Sequence, residues 1–403
     1  MAINTLFYGK RNNNYPLNDM KERFIIDAHL DLAMNAMEWN RDLTRPLEEI
    51  RLREMNLKDK NDRGRGTVCL PELRKGNIGL VVATQLSRVT AFGSSLPGSS
   101  WNSPQQAWAM TQAQLAWYRE MEALGEMVQV TNLQQLENHL SLWNDTNIAD
   151  EKKPVGYILS LEGADSLVDV SYLHKAYDYG LRAVGVSHFG PGRYAPGTKM
   201  TGPLTPLGIE LLKEMSRLNL ILDVTHLTDE GFDQVMKIYQ GPVWASHHNV
   251  RAIAPTQRQL SDDQIKRLIE RDAVIGGMLD CWAMDTRFID TVSDPWQLNI
   301  RLENLADHWD HICQIAGNSL HVAFGTDLDG NFGTEQSPWD MNSIADLQKY
   351  EAILSARGYK TEDIGIFTMT KSKENPHWVT LKRIEGRQQD FIIDMDKIPK
   401  SSI

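Results

Sequence analysis

The amino-acid sequence predicts an α/β protein that folds as a (β/α)8 TIM barrel. Two observations lead to this prediction: short apolar runs alternate with segments of helical spacing, and polar residues gather where the apolar runs end. Such alternation is typical of parallel strands joined by crossover helices, and eight strands suggest a closed barrel of about 250 residues or more. The 403 residues are enough for such a barrel, although an open doubly wound sheet also fits the alternation.

The predicted strands are eight short apolar runs, at residues 24–32, 78–87, 154–163, 181–190, 218–227, 241–248, 272–280 and 320–330. Segments with helical spacing lie between most of them, at 103–125, 171–180, 205–218, 228–240 and 261–271. Thr228 or Asp229 and Ser261 are candidate N-caps for the last two helices. The stretch 93–104, rich in Gly, Ser and Pro, predicts a loop over one mouth of the barrel.

Composition narrows the range of partners. The formal net charge of -11 argues against binding to nucleic acid or to an anionic membrane surface, since either usually requires a basic patch. No apolar run is long enough to span a bilayer, and we find no signal-peptide pattern, so membrane insertion is not expected. Cys69, Cys281 and Cys313 are odd in number and lack metal-type spacing, which favours a reducing cytoplasm.

The first predicted strand carries Asp27, His29 and Asp31 at alternate positions, so that the three side chains would point to one face. This pattern fits a strand end that emerges into water, but it also fits a site that holds a cation. Further polar residues stand at the ends of other predicted strands, namely Glu162, His188, His226, His247 and Asp327. In a barrel these ends converge on one mouth, where active sites are built.

Histidine, aspartate and glutamate at several strand ends, without paired cysteines, are the ligand set of a zinc or related hydrolytic site. One zinc ion is saturated by four ligands, whereas the sequence offers His29, Asp31, Glu162, His226, His247 and Asp327. The surplus favours a binuclear centre bridged by a carboxylate. Each residue alone has a structural alternative, such as a hydrogen-bonded histidine or a loop-capping glutamate. Asp223 and Ser246 are candidates either to orient the imidazoles or to stabilise turns.

Six motifs in this order resemble the membrane dipeptidase (renal dipeptidase-type) family of zinc peptidases. They are DAHLD (27–31), LSLEG (159–163), VSHFG (186–190), DVTH (223–226), SHHNVRAI (246–253) with Arg258, and GTDLDG (325–330). The resemblance covers about residues 24–360, which would form one catalytic barrel of the metal-dependent hydrolase type. Residues 1–23 are then an N-terminal extension, and residues 361–403 are a tail unlike that of the family.

The resemblance implies two Zn²⁺ ions per chain. His29 and Asp31 would hold one ion, His226 and His247 the other, and Glu162 would bridge them. His188 would polarise the substrate carbonyl, Arg258 would pair with the terminal carboxylate, and Asp327 would handle protons. The implied activity is hydrolysis of dipeptides with a free C-terminal carboxylate, including L-Xaa-D-Xaa, by a hydroxide that bridges the metals. Family members are commonly dimers, so a homodimer is the expected assembly.

The sequence also leaves alternatives open. His248 rivals His247 as a ligand, because the family usually has SHSN where this chain has SHHN, and Arg251 rivals Arg258. Residues 279–282 (LDCW) replace apolar residues followed by Asn-Phe, in a loop expected to border the substrate pocket. Three other kinds of protein could carry such a site. The first is another binuclear amide or ester hydrolase, for example an N-acyl amino acid hydrolase or a lactonase. The second is a deaminase, and the third is a catalytically silent barrel that binds a peptide. The deaminases usually have His-x-His on the first strand, whereas this chain has Asp31 in place of the second histidine.

Overall fold

A computed structural model describes residues 23–90, 100–360 and 363, and it confirms the predicted barrel. The strands of the barrel wall are β1 Ile25–Leu30, β2 Ile78–Leu86, β3 Val155–Glu162, β4 Leu181–Gly185, β5 Ile221–Asp223, β6 Val243–Trp244, β7 Ile275–Gly277 and β8 Val322–Phe324. All neighbouring strands of the wall are parallel, and the order around it is β7-β8-β1-β2-β3-β4-β5-β6. An isolated parallel bridge between Ala245 and Ile275 joins the two ends of this order.

Helices follow the strands and cover the outside of the wall. The two predicted N-caps are confirmed: the Thr228 side chain accepts a hydrogen bond from the Gly231 backbone N–H, and Ser261 forms a capping box with Gln264. The α-helices are Leu32–Glu38, Leu47–Glu54, Leu70–Lys75, Pro104–Ala123, Leu133–Trp143, Tyr172–Asp178, Pro206–Arg217, Asp229–Ile238, Asp262–Glu270, Cys281–Met284, Pro295–Leu298, Leu302–Ala316 and Tyr350–Ala356, and the 3-10 helices are Asp150–Lys152, Ala164–Ser166 and Ile344–Lys349.

Most strands end earlier than their apolar runs predict. β5 stops at Asp223, three residues before His226, and β8 stops at Phe324, three residues before Asp327. His226 and Asp327 have φ angles of 68° and 57°, in the left-handed region that non-glycine residues rarely adopt. The chain therefore turns at the two residues, and their side chains stand on loops at the mouth. Left-handed backbone at such residues is a recurrent feature of functional sites.

Two glycines let the last strands pack closely against the loop after β6. A Cβ atom at Gly276 or Gly325 would lie 1.8 or 1.7 Å from the backbone oxygen of Ser246, so neither position admits a side chain. The segment that carries His247 is thus held directly against β7 and β8. This contact fixes the position of a predicted ligand through backbone packing.

Other parts of the chain lie at the margins of the barrel. Met127–Gln129 pairs with the start of β3, and Arg88–Val89 pairs with Ser100–Trp101. The latter pair includes part of the predicted loop 93–104, whose residues 93–99 lie outside the described residues. The predicted extension 1–23 and tail 361–403 also lie outside them, apart from Arg23 and Asp363. Across the described ranges, no helix combines the length and the apolar character needed to cross a bilayer.

Candidate metal centre

Three buried side chains from different strand ends meet at the mouth of the barrel. Glu162 ends β3, His226 follows β5, and His247 follows β6. The His226 Nε2 atom lies 3.1 Å from Glu162 Oε1 and 3.0 Å from His247 Nε2, and His247 Nε2 lies 3.4 Å from the same glutamate oxygen. Atoms that share a tetrahedral zinc ion at about 2.0–2.2 Å are separated by roughly 3.3 Å. The three atoms therefore have the spacing of ligands to one ion.

A second group lies beside the first and shares Glu162 with it. His29 and Asp31 come from the end of β1, and the His29 Nε2 atom lies 3.5 Å from Glu162 Oε1 and 4.0 Å from Asp31 Oδ1. Ligand atoms of His29, Asp31 and Glu162 all lie within 4.8 Å of one another, as do those of the first group. Glu162 thus occupies the position between two possible ions.

Unpaired polar atoms in this cluster fit a metal. His29 Nε2 and Glu162 Oε2 are buried, and neither has a hydrogen-bond partner among the described residues. A buried polar atom without a partner costs free energy, so these two atoms require a ligand that supplies positive charge or a proton. A bound divalent cation meets this requirement for both atoms at once, since imidazole and carboxylate are common zinc ligands.

The electrostatics of the cluster favour the same conclusion. Burial disfavours the charged forms, and the neighbouring Glu162 and the buried surroundings together raise the pKa of Asp31 to about 7. Burial lowers the pKa of His226 to about 3, whereas His29 departs in the other direction: despite its burial, the carboxylates of Glu162 and Asp31 raise its pKa to about 10. Crowded buried carboxylates of this kind are stabilised by cations.

Hydroxyl groups behind the imidazoles hold the rings in place. Ser246 Oγ lies 2.8 Å from His247 Nδ1 and 3.4 Å from His29 Nδ1, and Thr198 Oγ1 lies 2.8 Å from His226 Nδ1. With Nδ1 satisfied in this way, each ring presents Nε2 to the cluster. Ser246 was a sequence candidate for this role. Thr198 was not, because it lies in the loop after β4 and no motif marks it.

The carboxylates near the cluster divide into two kinds. Thr84 donates a hydrogen bond from Oγ1 to Asp31 Oδ1, so Asp31 is oriented by a neighbouring strand. Asp27 instead accepts hydrogen bonds from the Thr326 backbone N–H at 2.9 Å and the Thr326 hydroxyl at 2.5 Å. Its side chain thereby ties β1 to the loop after β8. Asp223 accepts from the Thr225 backbone N–H at 3.0 Å, which stabilises a turn, and from the Ser246 backbone N–H at 3.0 Å, which links β5 to the segment after β6.

A cavity of about 890 Å³ opens over the cluster. The predicted residues His188, Arg258 and Asp327 all line it. His188 Nε2 lies 3.6 Å from Glu162 Oε1, and Asp327 Oδ1 lies 3.8 Å from His29 Nε2. The volume falls within the range of about 300–1,000 Å³ that is usual for small-molecule sites. The structure therefore brings these three residues together with the five predicted ligands.

Arg258 is a buried cation in the wall of this cavity. Its Nη2 atom donates a hydrogen bond of 2.9 Å to the backbone oxygen of His247, whereas Nε and Nη1 have no hydrogen-bond partner within the described residues. Burial lowers the pKa of Arg258 to about 10, although Asp327 and other carboxylates oppose the shift. The guanidinium thus offers two free donors to a ligand.

The two rival residues lie elsewhere. The Arg251 guanidinium binds Asp229 with N–O distances of 2.7 and 3.1 Å, and it does not line the cavity. The backbone N–H of His248 donates to the Gly276 oxygen at 2.7 Å, and His248 belongs to neither ligand group that shares Glu162. The geometry therefore favours Arg258 and His247 over Arg251 and His248.

Fold and site together define a (β/α)8 barrel with buried metal-ligand side chains at its carboxyl-terminal mouth. The model of the membrane dipeptidase family (Peptidase family M19) matches residues 18–370, and the chain belongs to this family. The six motifs had led to the same family. Membership implies a metal cofactor, which the donor atoms of the two ligand groups fit.

Individual relatives are distant. A dipeptidase of Claviceps purpurea is 26% identical over 223 residues, which are 52% of this chain and 48% of that protein. An uncharacterized dipeptidase of Schizosaccharomyces pombe is 26% identical over 199 residues, which are 47% of this chain and 46% of that protein. The matched regions thus span about half the length of these two curated relatives.

Solved structures show the same fold. The chain is similar to a metallo peptidase from Rhodobacter sphaeroides that was crystallised with a phosphinate mimic of the dipeptide L-Ala-D-Ala. The TM-score is 0.69 at 21% identity, and the match covers 91% of this chain and 99% of that one. A dipeptidase described as a metallo peptidase of family M19 gives a TM-score of 0.69 at 22% identity, with 91% and 100% covered.

Proposed function

We propose that this chain is a zinc-dependent dipeptidase that holds two zinc ions and hydrolyses dipeptides with a free C-terminal carboxylate. One observation carries the proposal. The Nε2 atoms of four histidines, His29, His188, His226 and His247, lie between 3.1 and 3.6 Å from a single oxygen of Glu162. Such convergence of imidazoles from four strand ends on one carboxylate is typical of a catalytic metal centre and has no evident structural purpose.

The ligand assignment follows from the two groups. His29 and Asp31 would hold one ion, His226 and His247 the other, and Glu162 would touch both. Bound divalent ions supply a water of lowered pKa and positive charge beside the substrate carbonyl. Ser246 and Thr198 keep the rings in the orientation that this assignment needs.

Arg258 would bind the substrate. Its two free donors, Nε and Nη1, suit a carboxylate, and its hydrogen bond to the His247 backbone places it directly beside a ligand. A substrate whose carboxylate is held there can present only a bond close to its C-terminus to the metal ligands. This arrangement favours dipeptides over longer peptides and over substrates without a carboxylate.

His188 and Asp327 would act on the reacting atoms. Both line the cavity close to the cluster. His188 would donate a hydrogen bond to the carbonyl oxygen as negative charge develops on it. Asp327 would accept a proton from the attacking water and deliver it to the leaving amine. We include L-Xaa-D-Xaa among the substrates, because the Rhodobacter sphaeroides structure of the same fold holds a mimic of L-Ala-D-Ala.

The proposal is tested with a substrate panel. Purified protein is stripped with chelator, reloaded with zinc, and assayed with L-Ala-L-Ala, L-Ala-D-Ala, their C-terminal amides, N-acetyl-alanine and a lactone. We expect zinc-dependent release of alanine from at least one free dipeptide and at least about 30-fold slower cleavage of its amide, the scale of a lost buried charge pair. If only the N-acetylated compound or the lactone is hydrolysed, the chain is a hydrolase of another kind. If no compound shows zinc-dependent turnover, the dipeptidase proposal is refuted.

The proposal also includes the oligomeric state of the protein. We expect a homodimer in solution, which light scattering coupled to gel filtration would report as twice the chain mass of 45.8 kDa. A monomer at micromolar concentration would exclude it.

A further inference from the structure

Asp280 is a buried acid in the wall of the substrate cavity. Only 6% of its surface is exposed, and it lies on the side of the cavity formed by the segment after β7. Its carboxylate accepts hydrogen bonds from the Gln336 side-chain amide at 2.9 and 3.0 Å and from the Trp282 backbone N–H at 3.2 Å. All these partners are neutral. Burial accordingly raises the pKa of Asp280 to about 7.

The structural tasks of Asp280 do not need a charge. Its bond to the Trp282 N–H caps the short helix Cys281–Met284, and its bonds to Gln336 link two loops. An asparagine caps helices as well as an aspartate does and can also accept from an amide. A buried carboxylate whose hydrogen-bond partners are all neutral costs free energy when it is charged. Its presence in a cavity wall therefore points to a cation that arrives with the substrate.

The position of Asp280 indicates which part of the substrate would carry that cation. Met278 stands two residues before Asp280, and its sulfur lies 3.8 Å from Arg258 Nη2. The negative charge of Asp280 also acts on the Arg258 guanidinium. Arg258 is more than nine-tenths buried, has unpaired donors and lines the same cavity. Asp280 thus lies close to the group that would hold the terminal carboxylate.

We propose that Asp280 selects dipeptides whose C-terminal residue carries a cationic side chain, lysine or arginine. This inference rests on the proposed function and names its substrate class. A basic side chain places a positive charge a few ångströms from the terminal carboxylate, which matches the presence of Asp280 and Arg258 in the wall of one cavity. Trp282 and Phe288 line the same cavity, and they offer apolar surface to the methylene groups of the side chain. Asp290 adds a second negative charge to the lining.

The test compares Asp280→Asn with wild type on L-Ala-Lys and L-Ala-Met, in the stereochemistry that wild type accepts. Methionine has a similar length without the charge. We expect wild type to favour Ala-Lys by about tenfold or more in kcat/KM, because charge-assisted hydrogen bonds are stronger than neutral ones. In Asp280→Asn this preference should vanish through a rise in KM for Ala-Lys, while kcat/KM for Ala-Met stays within about twofold.

Asp294→Asn is the matched control. Asp294 caps the short helix Pro295–Leu298 through the Trp296 N–H at 2.9 Å, as Asp280 caps its own helix, but it does not line the cavity. It should retain the preference of wild type. Equal losses for both dipeptides in Asp280→Asn would show a purely structural role and overturn the inference, as would a wild type without preference for Ala-Lys.

Equilibrium binding of the same two dipeptides separates this inference from the dipeptidase proposal. If wild type binds Ala-Lys at least about tenfold more tightly than Ala-Met but cleaves neither, the dipeptidase proposal fails and the role of Asp280 stands. Equal affinities for both dipeptides, together with cleavage of both, would leave the dipeptidase proposal intact and overturn the role of Asp280.

Discussion

The Nε2 atoms of His226 and His247 lie 3.0 Å apart, although the two residues follow different strands. Two imidazole nitrogens at this separation either share a proton or share an ion, because both cannot be bare acceptors at hydrogen-bond distance without repulsion. Each ring is fixed from behind by a hydroxyl group, from Thr198 for His226 and from Ser246 for His247. The loops that carry the two histidines and their hydroxyl partners therefore set the distance between the two Nε2 atoms without an ion.

Removing a supporting hydroxyl should weaken metal binding. Thr198→Val keeps the shape of the side chain and removes the partner of His226 Nδ1. We expect metal affinity or activity to fall about 10- to 100-fold, the usual cost of losing a group that orients a ligand. The measurement is competition with a chelator. The control is Thr111→Val, a buried threonine whose hydroxyl bonds the Trp108 oxygen inside a helix. Equal zinc affinity in wild type and Thr198→Val would contradict the prediction.

Arginine substitutions should separate substrate binding from stability. In Arg258→Met the unpaired donors in the cavity disappear, so KM for a dipeptide should rise at least about 30-fold while the C-terminal amide is unaffected. Arg251→Met removes only a half-buried pair with Asp229 and should leave the steady-state kinetics within about twofold of wild type. If Arg251→Met raised KM and Arg258→Met did not, the assignment would be reversed.

A buried cluster of charged side chains around Arg41 should contribute strongly to the stability of this part of the barrel. Arg41 is buried and binds Glu54 at 2.9 Å and Asp62 at 2.8 Å, with Asp329 at 3.6 Å. Arg41→Met leaves Asp62 and Asp329 without their cation, whereas Glu54 keeps Arg63 at 2.7 Å, and it should lower the free energy of unfolding by about 3–5 kcal/mol. Asp329 stands two residues after Asp327, so the same change should disturb the loop that carries Asp327.

The matched control for Arg41→Met is Arg45→Met. Arg45 is exposed and pairs with Asp42 at 3.1 Å, an interaction worth about 0–1 kcal/mol. Denaturant unfolding of both variants gives the difference. An Arg41→Met protein as stable as Arg45→Met would show that the cluster contributes nothing.

One buried histidine outside the metal site predicts a pH dependence of stability. His308 accepts a hydrogen bond from the Val250 N–H at 3.0 Å and lies 3.1 Å from the Met284 oxygen. Burial lowers its pKa from 6.5 to about 4. Above pH 6.5 the ring is neutral in both states, and between pH 6.5 and 4 the unfolded chain takes up a proton that the folded chain refuses. Stability is therefore lost as the pH falls through this window.

The size of this loss is about 2 kcal/mol between pH 7 and pH 5, obtained by linkage from the two pKa values. His308→Gln cannot titrate, so its free energy of unfolding should fall by about that much less than the free energy of wild type over the same interval. Urea unfolding at the two pH values measures the difference. If the free energy of unfolding falls equally in the two proteins, His308 is already protonated in the folded state or is exposed, and the prediction is contradicted.

Much of the architecture was predictable because its signals are local. Alternating apolar runs and helical segments, together with the caps at Thr228 and Ser261, are properties of neighbouring residues. The ends of the strands were not predictable in this way. His226 and Asp327 belong to apolar runs but adopt positive φ, which the pattern of neighbouring residues does not mark.

The residues of the site also divide into those that local sequence patterns predicted and those that they did not. His29, Asp31 and Glu162 stand at strand ends, where a barrel must bring them together, and the structure places them within 4.8 Å. Alternation on β1 predicted one face for Asp27 and His29, and both are buried there, but alternation could not show that Asp27 binds Thr326 after β8. Thr198 had no motif, since a hydroxyl that supports a histidine leaves no pattern along the chain.

Metal content tests the central claim most directly. Protein dialysed against zinc and then against metal-free buffer is analysed by plasma mass spectrometry, with Glu162→Gln as the comparison. We expect about two zinc equivalents per chain in wild type and fewer than two in Glu162→Gln, because both ligand groups share this carboxylate. Wild-type protein that retains no zinc, or the same zinc content in both proteins, would contradict the account.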